Sequence, residues 1–461
     1  MKVISSISGL RATLDEGKFD KLLIYRYISA LCEMYPQGLI VIGRDGRPSG
    51  IEIEDTLVKI LNYFGRNYIV CGIIPTPTVQ VMVEHLGAIL GISITASHNP
   101  AEWNGLKFIN SQGVFFNSNE NKLLLEIIEK QKINKIPNEI LDTNTPIKHI
   151  FSDEAIYVHI QKAFSLNIGE NLIDFDAIKR KNFKVVVDAI NSSGSIIIPK
   201  LLDELNCQVN KINCEANGDF VHQPEPLPEN LTELAVKVTE YGADLGIAVD
   251  PDADRLVLIN EQGKPISEEM TVVLSVWSYL LISDNPSEVK IVVNHSTTQL
   301  VEEIAKQFGA KVFRASVGEI NVVHKMKQLN AQIGGEGSGG VILSNFHYGR
   351  DAIAGIVLIL NLLSKTNKKI SELVSQLPKS IMKKVKLEFE GNFELLKEKM
   401  MSHFKREKCI NEDGLKFIGQ DYWVQLRKSN TEPILRVIAE STSEFTTNIL
   451  IDKIFGIIKY L

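Results

Sequence analysis

Leu86-Gly87-Ala88-Ile89-Leu90-Gly91-Ile92-Ser93-Ile94-Thr95-Ala96-Ser97-His98-Asn99-Pro100 is an apolar run that spills into a short polar loop. The run from Leu86 to Ile94 predicts a buried strand, and the rim of an open α/β sheet, where such strands end, is where ligands bind. Ser97 is thereby presented as a nucleophile would be, although most serines in turns only bond nearby backbone. A second loop, Asp250-Pro251-Asp252-Ala253-Asp254-Arg255, follows another apolar run, Leu245 to Val249. Three carboxylates at alternating positions can converge on one hard cation, and a divalent cation beside a serine points to phosphoryl chemistry.

Working outward, the same pattern of strand, polar turn and helix start recurs at Leu39-Ile40-Val41-Ile42-Gly43-Arg44-Asp45, Lys184-Val185-Val186-Val187-Asp188-Ala189 and Val289-Lys290-Ile291-Val292-Val293-Asn294. Each predicts the opening of a βαβ-like unit. Second strands are expected at Tyr68 to Ile74, Cys207 to Asn213 and Lys311 to Ala315. Third strands are expected at Ala88 to Ile92, Ala243 to Ile247 and Ala331 to Gly335. The loops that follow are the Ser97 loop, the Asp250 loop and Gly335-Glu336-Gly337-Ser338-Gly339-Gly340, so the three most unusual loops fall at equivalent places of an internal repeat.

A chain of 461 residues exceeds one hydrophobic core and divides into about three or four domains of roughly 100–150 residues. Polar linkers place the boundaries at 1–150, 151–262 and 263–375, and a differently patterned fourth piece covers 383–461. The expected fold is α/β: three repeated α/β domains with mixed sheets plus a C-terminal α+β domain. That last piece should end in a helix from Glu444 to Tyr460. A net charge of −6 argues against a nucleic-acid surface. The longest apolar run, Ala352 to Leu363, is too short to span a bilayer and reads as a core helix. Five cysteines without ligand spacing, and no signal-peptide stretch at the start, read as reduced thiols of a cytoplasmic protein with no membrane partner.

Gly335-x-Gly337-x-x-Gly340 formally matches a dinucleotide fingerprint, but that fingerprint must open a helix and Val341-Ile342-Leu343 continues as a strand. Glu336 and Ser338 read instead as polar contacts to hydroxyls. Asp250, Asp252, Asp254 and Glu261 have calcium-hand spacing, yet the sixth position is Arg255 rather than glycine. Near the C-terminus, Arg427-Lys428-Ser429-Asn430-Thr431-Glu432-Pro433 follows the strand Trp423 to Leu426 and is either a phosphate cradle or a solvated hairpin turn. Arg11, Arg44 and Arg47 are each either a phosphate contact or a structural ion pair. No Walker-type string occurs, which argues against a nucleotide-driven kinase.

Taken together, TASHNP with Asn104-Gly105-x-Lys107 downstream, DPDADR at 250–255, GGEGSGG at 334–340 and RKSNTEP at 427–433 resemble the α-D-phosphohexomutase family over nearly the whole chain. The resemblance implies four domains around a central cleft, each supplying one loop. It implies that Ser97 carries the exchangeable phosphoryl group and binds one Mg²⁺ together with Asp250, Asp252 and Asp254. Arg255 would contact the phosphoserine and the sugar, and Arg11 would contact the substrate. Glu336 and Ser338 would grip sugar hydroxyls, and Arg427, Ser429, Asn430 and Thr431 would hold the non-reacting phosphate. His98 and Lys107 would serve proton transfer and charge stabilisation. Where many members carry a histidine considered as a general base, this chain has Gly340, and His324, Lys325 and His347 are the possible substitutes.

The implied reaction is interconversion of hexose or hexosamine 1- and 6-phosphates through a 1,6-bisphosphate. GGEGSGGVI and the 347–351 string HYGRD look most like the bacterial and archaeal phosphoglucosamine mutase branch. Thr95, where that branch commonly has serine, leaves phosphomannose or phosphoglucose as an alternative. A metal-dependent sugar phosphatase would use the same serine and cation but would not need the Arg427 cradle. A sugar-phosphate sensor would need neither nucleophile nor metal.

Overall fold

The structure is a computed structural model that describes residues 4–6, 9–14, 19–141, 151–168, 171–389, 391–428 and 434–459. The first sheet contains β1 (Ile4–Ser6), β2 (Gly9–Thr13), β3 (Leu39–Arg44), β4 (Asn67–Ile73), β5 (Leu90–Ile94) and β6 (Trp103–Asn110), in the order β1-β2-β6-β5-β3-β4. A short antiparallel pair, β7 (Asn167–Ile168) and β8 (Asn171–Leu172), precedes the second sheet. There β9 (Lys184–Asp188), β10 (Gln208–Ile212), β11 (Leu245–Val249) and β12 (Leu256–Asn260) run in the order β10-β9-β11-β12. The third, β13 (Lys290–Asn294), β14 (Lys311–Ala315), β15 (Ile333–Glu336) and β16 (Gly340–Leu343), repeats that order as β14-β13-β15-β16.

The expected repeat is therefore a repeat of topology. In each of the units β3–β6, β9–β12 and β13–β16 the first strand is parallel to the second and third, and the fourth turns back antiparallel to the third. Parallel neighbours require a helical crossover, supplied for the third strands by Thr76–Leu86, Thr232–Tyr241 and Glu319–Leu329. All three helices close on a left-handed residue, Gly87 (φ 59°), Gly242 (φ 60°) and Asn330 (φ 50°). This corrects the reading of Leu86 to Ile94 as one strand. Gly87 caps a helix that ends at Leu86, and the strand starts only at Leu90.

The C-terminal part is a five-stranded antiparallel sheet of β17 (Ile381–Glu388), β18 (Lys408–Ile410), β19 (Leu415–Ile418), β20 (Tyr422–Lys428) and β21 (Ile434–Ser441), in the order β17-β21-β20-β19-β18. The helices Phe393–His403 and Glu444–Lys459 pack on it. Two kinds of core result. One continuous apolar core joins the first three sheets, through residues such as Val41, Val79, Val187, Ile247, Ile291 and Leu358. The fourth sheet has its own, built on Leu396, Phe417, Leu426, Val437 and Ile454. The apolar run from Ala352 lies in the helix Ala352–Thr366 at the centre of the shared core, capped by the Asp351 side chain. Among the described residues, no helix is long and apolar enough to cross a membrane.

Candidate active site

The loops after β5, β11 and β15 each need a left-handed residue, and the sequence supplies Ser97 (φ 51°), Ala253 (φ 49°) and Gly339 (φ 94°). For Ser97 this is an uncommon conformation, held by its surroundings. Its backbone N–H donates to Thr95 Oγ1 at 2.8 Å, and Thr95 Oγ1 donates to Asp45 Oδ2 at 2.7 Å. The fully buried Arg47 guanidinium donates to the carbonyls of Ser97 (2.7 Å), Asn99 (2.6 Å), Pro100 (2.6 Å) and Trp103 (3.0 Å). Arg47 is thus a structural residue of the serine loop. Arg44, paired with Glu54 at 3.6 Å, is structural too.

Folding brings this loop onto the aspartates. Ser97 Oγ donates to Asp250 Oδ2 at 2.9 Å, although the two residues lie 153 positions apart. Lys107 Nζ donates to Asp252 Oδ2 at 2.5 Å and to Asp254 Oδ2 at 3.3 Å, and Thr76 Oγ1 donates to Asp252 Oδ2 at 2.6 Å. One carboxylate oxygen from each of Asp250, Asp252 and Asp254 lies within 4.8 Å of the others, and all three residues are buried. Asp252 Oδ1 and Asp254 Oδ1 are buried without a hydrogen-bond partner. Buried, orphaned carboxylate oxygens are costly unless a cation compensates them, and an all-oxygen donor set suits a hard divalent ion such as Mg²⁺.

The electrostatics are divided. Burial, then Asp254 and Asp252, pushes the Asp250 carboxyl well above its usual range. Burial also opposes ionising Asp254, but Arg350, Lys107 and Arg255 outweigh it and hold that carboxyl below the ordinary range. Burial likewise opposes the charge on Lys107, and Asp252 and Asp254 more than restore it. His98, with Nδ1 3.4 Å from Ser97 Oγ, is pushed well down by Arg255 and by burial, which favours the neutral ring. Arg11 donates to Asn99 Oδ1 at 3.2 Å on the edge of this cluster. Arg255 lies 3.8 Å from both Asp250 and Asp254 and faces Glu225 at 3.5 Å.

These groups open onto a cavity of about 430 Å³ lined by His98, Arg255, Glu336, Ser338, Arg350 and Arg427, among others. Glu336 is fixed on both oxygens, accepting from Asn294 Nδ2 and Gly318 N at 2.9 Å each and from Arg350 Nη1 at 2.8 Å. Arg427 donates through Nε to Asp413 Oδ1 at 2.9 Å. Ser429, Asn430 and Thr431 lie outside the described residues.

Several groups escaped the sequence reading. Arg350 is the largest omission. It donates to Asp254 (2.7 Å), Glu336 (2.8 Å) and Glu319 (3.0 Å), joining the acidic loop to the glycine-rich one. A Cβ on Gly340 would stand 2.2 Å from Arg350 Cδ, so the arginine stem fills the space that a side chain at 340 would need. None of the suggested substitute bases lines the cavity. His347 is buried and bonded to Asp351 Oδ2 at 2.8 Å, while His324 and Lys325 sit on the helix Glu319–Leu329. Lys386, Arg436 and Arg427 were also missed as a group. They are direct cross-strand neighbours on β17, β21 and β20 and form a cationic row on the cavity wall. Alternation along Ile381–Glu388 marks Lys384 and Lys386 as sharing a face, but only the strand register brings Arg436 between Lys386 and Arg427.

A buried serine set against a carboxylate triad, with a cationic wall on the same cavity, narrows the class, and the comparisons name it. The four domain models of phosphoglucomutase/phosphomannomutase match the chain: alpha/beta/alpha domains I, II and III at residues 3–135, 162–263 and 269–381, and the C-terminal domain at 380–456. A phosphoglucomutase/phosphomannomutase of Thermococcus kodakarensis is 36% identical over 88% of this chain and 86% of its own. A phosphoglucosamine/phosphogalactosamine mutase of Sulfurisphaera tokodaii is 33% identical over 91% of each. The fold matches that of a phosphoglucomutase/phosphomannomutase family protein from Burkholderia thailandensis with a TM-score of 0.80, at 23% identity over 99% of this chain and 98% of the other. The chain belongs to the α-D-phosphohexomutase family and is an isomerase.

Proposed function

We propose that this enzyme interconverts the 1- and 6-phosphates of a hexosamine, with glucosamine phosphate as its substrate, through phosphorylated Ser97 and a sugar 1,6-bisphosphate. The observation that carries the reading is the 2.9 Å contact between Ser97 Oγ and Asp250 Oδ2, which sets the nucleophile against the carboxylate triad. Phosphoserine gives its phosphoryl group to the free hydroxyl of the sugar phosphate, the bisphosphate turns over in the cleft, and its other phosphoryl group returns to Ser97. In the returning step Ser97 Oγ loses its proton as it takes the phosphoryl group, and His98, with Nδ1 3.4 Å from Ser97 Oγ and held toward the neutral ring, is the acceptor outside the carboxylate triad. Asp250, Asp252, Asp254 and the Ser97 phosphate would hold Mg²⁺, whose charge would offset that developing on the transferring group.

The chain's own groups supply the rest. Lys107 is a fixed cation on the inner side of the triad, and Arg255 and His98 face the cavity beside the nucleophile. Glu336, locked by three donors, presents a rigid acceptor edge for sugar hydroxyls with Ser338 beside it. The row of Arg427, Arg436 and Lys386 suits the non-reacting phosphate, which favours a mutase over a phosphatase because release to water needs no second phosphate site. The amino-sugar assignment rests on the GGEGSGGVI loop and on the name of the 33% identical relative. Glucose or mannose phosphate is the second reading, favoured by the name of the 36% identical one.

The test supplies glucosamine 6-phosphate, glucose 1-phosphate and mannose 1-phosphate in turn and compares isomerisation with free phosphate release. Glucosamine phosphate should isomerise fastest, without net phosphate release. Ser97→Ala should stay folded, lose turnover and lose the phosphate adduct seen in the intact mass of the wild type. Near-normal turnover in that variant would sink the assignment.

A further inference from the structure

The loop after β9 holds two consecutive non-glycine residues in the left-handed region, Ile190 (φ 47°) and Asn191 (φ 51°). A β-branched side chain takes that conformation only where the surroundings impose it. Here they do. Asn191 N donates to Asn213 O at 2.6 Å, its side chain accepts from Glu215 N and donates to Asp219 O at 2.9 Å each, and its carbonyl accepts from Gly218 N at 2.8 Å.

The turn so enforced buries Ser192 completely and aims its hydroxyl between two other loops. Ser192 Oγ accepts from Gly46 N at 2.9 Å and donates to Pro251 O at 2.6 Å. Gly46 precedes Arg47, whose guanidinium clamps the serine loop, and Pro251 lies between Asp250 and Asp252. A Cβ on Gly46 would come within 2.8 Å of Asn191 O and of Ser192 Cα, so the approach is close by construction. The direct tie between the two loops, from Ser97 Oγ to Asp250, loses its donor proton when Ser97 carries a phosphoryl group. The tie through Ser192 does not depend on that proton.

We infer that Ser192 is a positioning residue for the phosphoryl transfer proposed above, a fixed spacer that sets Ser97 against the three aspartates in every state of the cycle; the inference rests on that reading for its kinetic consequence only. Ser193 provides a matched control. Its Oγ also donates to Pro251 O, at 2.8 Å, but no contact ties it to Gly46.

Ser192→Ala and Ser193→Ala each remove one buried hydroxyl from the same carbonyl. Ser192→Ala should lower kcat about ten- to a hundredfold, as expected for a small misplacement of reacting groups, with KM for the sugar phosphate unchanged. It should also weaken binding of Mg²⁺ alone, read by titration calorimetry, whereas Ser193→Ala should stay within about twofold of wild type in both. Equal effects of the two variants on kcat and Mg²⁺ binding, or no effect of Ser192→Ala, would overturn the inference. Should Ser192→Ala lose its circular-dichroism signature, Ser192→Thr carries the test, and its retained hydroxyl should preserve Mg²⁺ affinity; a loss there refutes the spacer. A wild type that isomerises none of the sugar phosphates would refute the proposed function instead, and the calorimetric comparison would still decide the role of Ser192.

Discussion

Arg350 shows how one side chain can exclude another by occupying its space. Its stem lies where a side chain at position 340 would project, and its fork binds three carboxylates. Gly340→His should therefore not supply a base. It should push Arg350 off Asp254 and Glu336 and lower kcat/KM more than tenfold, and a gain in activity would restore a histidine base to this position. Arg427 offers the complementary case, a guanidinium pinned at Nε by Asp413 on the wall of the cavity. Arg427→Lys keeps the charge but loses the planar fork, which costs on the order of 1.5–3 kcal/mol, or roughly ten- to a hundredfold in kcat/KM. Steady-state kinetics together with loss of bisphosphate from the cleft will measure it, and unchanged values would reduce the Arg427 strand end to a surface element.

At the scale of elements, the helix Ala352–Thr366 depends on the residue that caps it, Asp351. Asp351 Oδ1 accepts from Ile353 N at 2.7 Å, and Oδ2 accepts from His159 Nε2 and His347 Nε2 at 2.8 Å each. Thr78 on the helix Thr76–Leu86 completes the network at His159 Nδ1. Burial opposes the Asp351 charge, but the two histidines outweigh it and hold the carboxyl below its usual range. Its contribution to stability is therefore present above about pH 4 and is lost as the pH falls through the folded value. Asp351→Asn retains the cap but leaves the histidines without their anion, and should cost about 3 kcal/mol at neutral pH, a difference that shrinks on acidification. Thermal melts across pH will show whether the gap closes. This network also marks what the sequence could convey. The strand ends that present Ser97 and Asp250 are legible because apolar runs and polar loops are local signals. The boundary at Gly87 is not, because a helix C-terminus and a buried strand share one apolar stretch there. The partners of Asp351 are 192 and 4 residues away, and those of Arg350 are 96, 14 and 31 residues away, separations that composition and periodicity do not encode.

At the scale of the whole molecule, the cleft closes through polar contacts between the third and fourth sheets. Lys384 on β17 binds Glu268 and Glu269 at 2.7 Å each, Lys416 Nζ donates to His295 O at 2.6 Å, and Asp413 accepts from Val317 N at 2.8 Å. Burial outweighs Lys384 and pushes the Glu269 carboxyl from 4.5 up to about 7. A carboxyl raised in this way favours folding below its unfolded value and loses that contribution as the pH rises through the folded one. Glu269→Gln should thus flatten the fall in stability between about pH 5 and pH 8, by at most about 3 kcal/mol. Urea midpoints at the two ends of that range will test it, and parallel slopes would exclude Glu269 as the source. The fourth sheet is joined by such ties yet packs around an apolar core of its own, so the segment from β17 to the last helix can be exchanged as a unit by design. A chimera that takes this segment from a relative with another sugar preference would inherit a new wall at the proposed phosphate site, while Ser97 and the carboxylate triad stay with the recipient.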